Sequence, residues 1–466
     1  MHAVVLLTIL CASFADYAVA LGAPAPLKFL PEACSGVVAI YVLLEGMHKG
    51  FAGIAPKYWV VFGVLSFLIV CGILTNGVGS GPILSGARFY TRAMPLFLLP
   101  AIAQFSDKQL TQQLKLMLGV ALLQVPIASY QRWIIWSAGR FSGDDVRGTL
   151  MDSGVLSIFL ICCVLVLTGL FMKKQIGRTK FLLLFFVLLL PTTINETKAT
   201  VILLPVGLFT AIVAAAPRGK RLRITGWTVA LLVVFGSILV PVYDLMNANS
   251  PYKKERNIQD FFTNQQQMQR YLEAKKGTAQ IGTLKPVRRG DAISIPLQYL
   301  SQDPLRLAFG LGLGNASSSS LGQNFVGDYY GLFRSFLIMS FSVFLLEIGV
   351  LGTVLVFVLY WLVGRDCLTV ARKDGGILGG VASGWIGVVA VMVMATFYTT
   401  THMYSSLSYF YWYFSGVVIA RATQLAWVRE AKVAPAKPLA QSTPASVAGA
   451  GRAGARISRG AGSRGN

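Results

Sequence analysis

The chain has 466 residues, of which 55% are hydrophobic and only 13% charged, with a mean hydropathy of +0.62. A soluble chain carries about 25% charged residues, so the composition excludes an ordinary soluble fold, and apolar runs of about 20 residues match a hydrocarbon core ~30 Å thick. The net charge of +22 does not point to nucleic acid, because most of the excess lies in short loops and the C-terminal tail, where cytoplasmic segments of membrane proteins carry it.

Taken in order, apolar runs fall at residues 3–21, 33–47, 58–74, 87–103, 114–135, 150–172, 181–193, 199–216, 225–245, 332–363, 377–398 and 404–422. They predict an all-α polytopic protein of about twelve spans, not a barrel, whose strands would be short and alternating. The seventh run is short, and Gly36 interrupts the second. Ala18-Val19-Ala20 resembles a signal-peptide cleavage site. With no basic segment before it and Asp16 inside the run, an uncleaved first span is expected.

Lys173 to Lys180, Arg218 to Arg223, Arg365 to Lys373 and the tail from Arg421 form four basic segments, all on one side of the predicted spans. That side is expected to be cytoplasmic and to hold both termini. The chain then divides into nine spans (1–245), a large outward loop (246–331), three spans (332–424) and a basic, low-complexity tail (425–466) expected to be disordered. The six cysteines show no metal-ligand spacing, and Cys162-Cys163 reads as packing.

The outward segments carry cations that topology disfavours there. Arg140 and Arg147 flank Asp144-Asp145, Glu196 and Lys198 mark the next outward turn, and Arg288-Arg289 end a basic series in the large loop. Arg306 precedes Gly310-Leu311-Gly312-Leu313-Gly314, and Arg334 opens the tenth run. Guanidinium forks near the membrane surface suit a phosphate or pyrophosphate. Glu347, inside an apolar run, is a costly buried carboxylate; its distance along the run from Arg334 favours a structural bond to a neighbouring helix. His402 is the one histidine expected outside, either as a base or, more simply, as an interfacial ring beside Tyr404. The glycine series follows no predicted strand, which rules out a dinucleotide loop, and the serines at 317–320 predict a flexible, open segment. Asn315-Ala316-Ser317 matches the N-glycosylation pattern.

These features together resemble the bacterial O-antigen ligase/polymerase family. The resemblance rests on the twelve-span layout with one large loop between spans nine and ten, and on Arg147-Gly148-Thr149-Leu150 opening span six. It rests also on Asn195-Glu196-Thr197-Lys198-Ala199 in place of a Ser-Arg pattern, and on Asp303-Pro304-Leu305 through Gly314 followed by Leu346-Glu347-Ile348-Gly349. It implies a GT-C-like membrane glycosyltransferase of the bacterial inner membrane, active at the periplasmic face and using neither cofactor nor metal. Its substrate would be undecaprenyl-pyrophosphate-linked oligosaccharide, with a flippase and a chain-length regulator as partners. Family ligases carry a His-Asn pair about eleven residues before the Glu-x-Gly glycine; here that position is Ile338. The resemblance therefore favours a polymerase over a ligase, with a transporter as the alternative from another class and an export-complex scaffold as a further one. Arg147, Arg306 and Arg334, with Lys198 and Arg140, would clamp the pyrophosphate alongside Arg288 and Arg289, and Glu196 or Asp145 would accept the acceptor's proton.

Overall fold

A computed structural model describes residues 1–135, 143–195, 197–216, 218–246, 281–282 and 287–433. Its regular structure is helical, and no strand occurs among the described residues. Among the described residues, eight helices are long and apolar enough to cross a membrane, as in an all-α polytopic membrane protein. Two units are distinguished, Met1–Ala426 and the remainder from Trp427. Of the second, only the end of the last helix, to Val433, lies among the described residues.

Helices α1 (His2–Ala20), α2 (Leu30–Lys49) and α3 (Pro56–Asn76) follow the first three apolar runs. Gly36 does not break α2. The helix runs through it, because a glycine costs a helix interior only about 1 kcal/mol. The fourth run is two helices, α4 (Ser80–Thr91) and α5 (Met94–Ala103), separated at Arg92 and Ala93. A capping box between Ser106 and Gln109 starts α6 (Asp107–Tyr130), which ends in a π turn over Gln131–Ile135.

The centre is α7 (Ser153–Met172), apolar on every side and buried along most of its length. Helices α8 (Arg178–Ile194), α9 (Ala199–Ala215) and α10 (Arg221–Met246) follow. Helix α10 turns apolar side chains outward, with Leu222 at 89% and Trp227 at 70% exposure, as a lipid-facing helix does.

Past the segment outside the described residues come α11 (Asp291–Leu300), α12 (Pro304–Phe309) and the one-turn α13 (Tyr330–Phe333). The long α14 (Ser340–Lys373), α15 (Ile377–Ala395) and α16 (Ser405–Val433) complete the chain. Arg334 therefore lies in a 3-10 turn ahead of the tenth span rather than at its start. Helices α7 and α15 pack backbone to backbone: a Cβ on Gly384 would strike the Leu165 carbonyl, and one on Gly169 the Gly380 carbonyl. Small residues at such crossings admit the close approach that membrane helices use in place of a hydrophobic driving force.

The glycine segment is not open. Residues 311–317 are buried, and Gly310, Gly312 and Gly314 take φ of 78°, 91° and 75°. Their bare Cα atoms lie against the Glu347–Gly349 backbone, against Gly72 and Val78, and against Pro82 and Gly86. At Gly349 (φ 66°, ψ −171°) α14 leaves helical geometry. There Leu311 N donates to the Leu346 carbonyl (2.6 Å) and Asn76 Nδ2 to that of Gly310 (3.0 Å). A broken helix at membrane depth needs such replacement partners. Asn315, buried with its side chain bonded to Leu311 O and Asp328 N, is no accessible glycan acceptor.

Candidate functional site

The N-terminal end of α7 gathers the residues best suited to hold an anion. Asp152 caps the helix, its Oδ1 accepting from Val155 N (2.8 Å), while its Oδ2 accepts from Tyr404 Oη (3.1 Å). One carboxylate thus ties the start of α7 to the turn before α16. Just ahead of it, two buried glutamines, Gln124 in α6 and Gln131 in the π turn that ends it, grip the backbone of the Arg147 turn. Gln131 Oε1 accepts from Arg147 N (3.0 Å) and Gly148 N (2.8 Å), and its Nε2 donates to Gly148 O (2.9 Å). Gln124 accepts from Thr149 N (2.8 Å) and donates to Thr149 Oγ1 (2.9 Å). Gly148 has φ 58°, and a Cβ there would run into Gln124 Oε1. The Arg147 backbone is thus fixed while its side chain stays exposed and pairs with Asp145 (3.2 Å).

The turn between α8 and α9 is fastened to the same place. Asn195 Nδ2 donates to Ser153 O (2.9 Å) and Ser157 Oγ (2.8 Å), and its Oδ1 accepts from Thr197 N (3.2 Å). This brings Lys198, the residue before α9, beside the first turn of α7. From the other side Arg289 stacks on the Tyr398 ring at 4.7 Å, and Tyr398 lies where a Cβ on Gly154 would stand. Burial and then the Asp152 charge push the Tyr404 hydroxyl up, while Arg147 acts in the opposite sense. Arg147, Lys198 and Arg289 are therefore carried by three segments that each adjoin the N-terminal turn of α7, where the backbone dipole favours an anion.

The remaining expected residues are distributed differently. Arg140 and Glu196 lie outside the described residues. Arg288 is half-buried next to Arg289. Arg306 pairs with Asp303 (3.5 Å), bonds Tyr299 Oη (3.4 Å) and faces the Tyr329 ring (6.0 Å). It lies in α12, and its bond to Tyr299 sets it beside the C-terminal turn of α11, whereas Arg289 precedes that helix. Arg334 is exposed. Glu347 is 1% exposed and faces Tyr90, Ser317 and the Gly314 backbone, as a residue that joins elements would.

His402 packs inward rather than at an interface. Its Nδ1 is 2.8 Å from Ser340 Oγ, and its ring lies against Phe344 and Tyr90. Burial and then the Arg92 charge hold its imidazole down at about 3, so it is neutral and no proton carrier near pH 7. Arg92 donates to His402 O (3.0 Å) and Ser405 Oγ (3.1 Å).

Gln124, Gln131 and Asp152 escaped the reading of the sequence, and Asn195 and Tyr404 entered it without the bonds they make here. The signal was there for the two glutamines: a polar side chain inside an apolar run needs a partner within the protein. The chain matches no protein-family model, and no curated protein matches its sequence.

Proposed function

We propose that this chain is a membrane glycosyltransferase of the O-antigen ligase/polymerase type that polymerises oligosaccharide repeat units carried on undecaprenyl pyrophosphate, at the periplasmic face of the inner membrane. The observation that supports the reading is that the turns carrying Arg147 and Lys198 are pinned beside the head of α7 by Gln124, Gln131 and Asn195, with Arg289 stacked on Tyr398 next to Gly154. Preorganised cations are what a reaction with a pyrophosphate leaving group requires.

In this mechanism the acceptor's sugar hydroxyl attacks the anomeric carbon of the donor glycan. The carbon–oxygen bond to pyrophosphate breaks, and the lipid pyrophosphate leaves with the electron pair, its charge met by the three cations. The hydroxyl proton passes to a carboxylate at the same end, Asp145 or Asp152. Arg306, with Tyr299 and Tyr329, offers a second platform whose aromatic faces and polar tips suit sugar rings further along the glycan.

The test is reconstitution of the full chain with lipid-linked repeat units and resolution of the products by length. A ladder that falls by about 10²-fold in Arg147→Ala supports the reading. No ladder, with glycan transferred to added lipid A-core, means a ligase. No product, with glycan crossing the vesicle membrane, means a transporter.

A further inference from the structure

Away from the head of α7, a cavity of about 270 Å³ lies between α3, the α4–α5 pair, α14 and α16. Its lining changes character along its length. At one end are Tyr90, Thr91, Thr401, His402 and Ser408; at the other, Trp59, Phe62, Leu98, Tyr360 and Trp412. The apolar end is held by rings, with Tyr360 stacked on Trp412 at 6.2 Å and Trp412 edge-on to Phe97 at 5.6 Å. Along α3 the lining runs from Trp59 to Ile69, a length of about 15 Å at 1.5 Å per residue. Trp59 is 38% exposed and Ser66 is exposed, so the cavity opens on the lipid-facing side of α3.

Beside the polar end stands a cationic cluster that the proposed reaction does not use. Arg88 and Arg92 lie over Phe89 at 5.6 and 5.4 Å, and Phe89 is itself a wall of the cavity. Arg88 also lies over Phe29 at 4.9 Å, with Lys28 over the same ring at 5.0 Å. Glu32 answers Arg88 (2.7 Å) and Arg92 (3.6 Å), and Asp16 feels the fields of all three cations. Three cations face two carboxylates, leaving one positive charge in excess. Lys28 makes no ion pair with any described residue. A narrow apolar cavity, open to lipid and bordered at its polar end by surplus positive charge, matches an amphiphile with a single chain inserted and an anionic head.

We propose that this cavity holds one acyl chain of an anionic bilayer phospholipid, with its phosphate seated between Lys28 and Arg88. The second acyl chain lies in the bilayer across the open side by α3. The lipid wedges α3 and α4 against α14 and is a resident component rather than a substrate, so the assignment is independent of the reaction proposed above.

The test uses the full chain in detergent, titrated with phosphatidylglycerol brominated on its acyl chains, with quenching of tryptophan fluorescence as readout. Trp59 and Trp412 line the cavity, so saturable quenching is expected. Ser66→Phe, which fills the opening from an exposed position, abolishes the saturable part. Lys28→Gln, which breaks no ion pair, weakens binding about fivefold, the worth of one basic residue at an anionic lipid surface. Brominated phosphatidylethanolamine binds more weakly than phosphatidylglycerol. Quenching that does not saturate, that survives Ser66→Phe, or that is indifferent to head charge and to Lys28→Gln overturns the proposal. So does an isoprenyl phosphate that displaces the phospholipid at equal concentration.

Discussion

Replacing Gln131 by Leu tests whether the buried glutamines of α6 and its closing π turn serve the site rather than only the fold. Leucine preserves the approximate volume and helix propensity of the position. It removes three hydrogen bonds to the turn that carries Arg147: those from Arg147 N and Gly148 N, and the one to Gly148 O. A neutral hydrogen bond contributes about 0.5–1.5 kcal/mol, and a buried group left without a partner costs more. The exposed flank of the turn lets water replace part of the loss, so a local destabilisation of about 2–4 kcal/mol is expected. Gln131 holds the turn and not the helix contacts of α7, so the turn should open locally while the helices around α7 stay packed. Two measurements check this. Amide exchange at Gly148 should accelerate about 30- to 1,000-fold, which is the same 2–4 kcal/mol expressed as an opening equilibrium. Polymer formation should fall about 10²-fold, the cost of a catalytic group displaced by an ångström. Gln131→Glu, which keeps the acceptor and loses the donor, should lie between. Native exchange at Gly148 together with native polymer yield in Gln131→Leu would refute the reasoning.

Further outcomes are expected. Asp145→Asn and Asp152→Asn, compared by pH profile of the ladder reaction, should differ: the variant that loses the acidic limb identifies the proton acceptor, and two unchanged profiles exclude both carboxylates. His402 is held at about 3 when folded but takes up a proton near 6.5 when unfolded. The unfolded state therefore binds more protons between those values, and stability drops as pH falls below about 6.5, by at most ~1.4 kcal/mol per pH unit. Thermal unfolding in detergent should show that slope in the native chain and a shallower one in His402→Gln; equal slopes contradict the burial of the ring. Gly349→Ala places a side chain on backbone at φ 66° with its Cβ against Ala308 O, and should lower stability by about 1–3 kcal/mol from the backbone alone. A native melting temperature in that variant would argue against the break in α14.

The helices were legible because each run of about 20 apolar residues has one stable solution in lipid, a helix with its backbone bonds satisfied internally. Their interruptions were less so. Gly36 resembled a break and is none, whereas Gly349 is a break inside a run that reads as continuous. The difference lies in the partner: Gly310 reaches Gly349 from far away in sequence, and no local pattern encodes that meeting. The same blindness attended the serines at 317–320, read as an open segment: Ser317 is buried with the packed glycine series while 318–320 are not, since glycine and serine serve flexible segments and tight packing equally well. Of the candidate site, Arg147, Lys198 and Arg289 were singled out because cations are disfavoured in segments expected to face outward. The pinning of their neighbourhood to α7 was not legible, because it depends on Gln131 and Asn195, whose partners are mostly backbone groups with no sequence signature.

The seam between the glycine segment and α14 bears on how the chain is made. Gly310 and Leu311 leave the ribosome before Glu347 and Gly349, so the segment that receives the break already exists when α14 enters the membrane. Until they meet, residues 340–363 are a hydrophobic stretch holding the single charge of Glu347, and in the folded chain the bend is bridged by the bond from Leu311 N to the Leu346 carbonyl. Synthesis order thus separates insertion, which favours a straight helix, from docking, which bends it. A circularly permuted gene placing residues 340–433 ahead of residue 310 should still insert α14 but leave it straight until late, and so accumulate a protease-sensitive intermediate that the native order avoids.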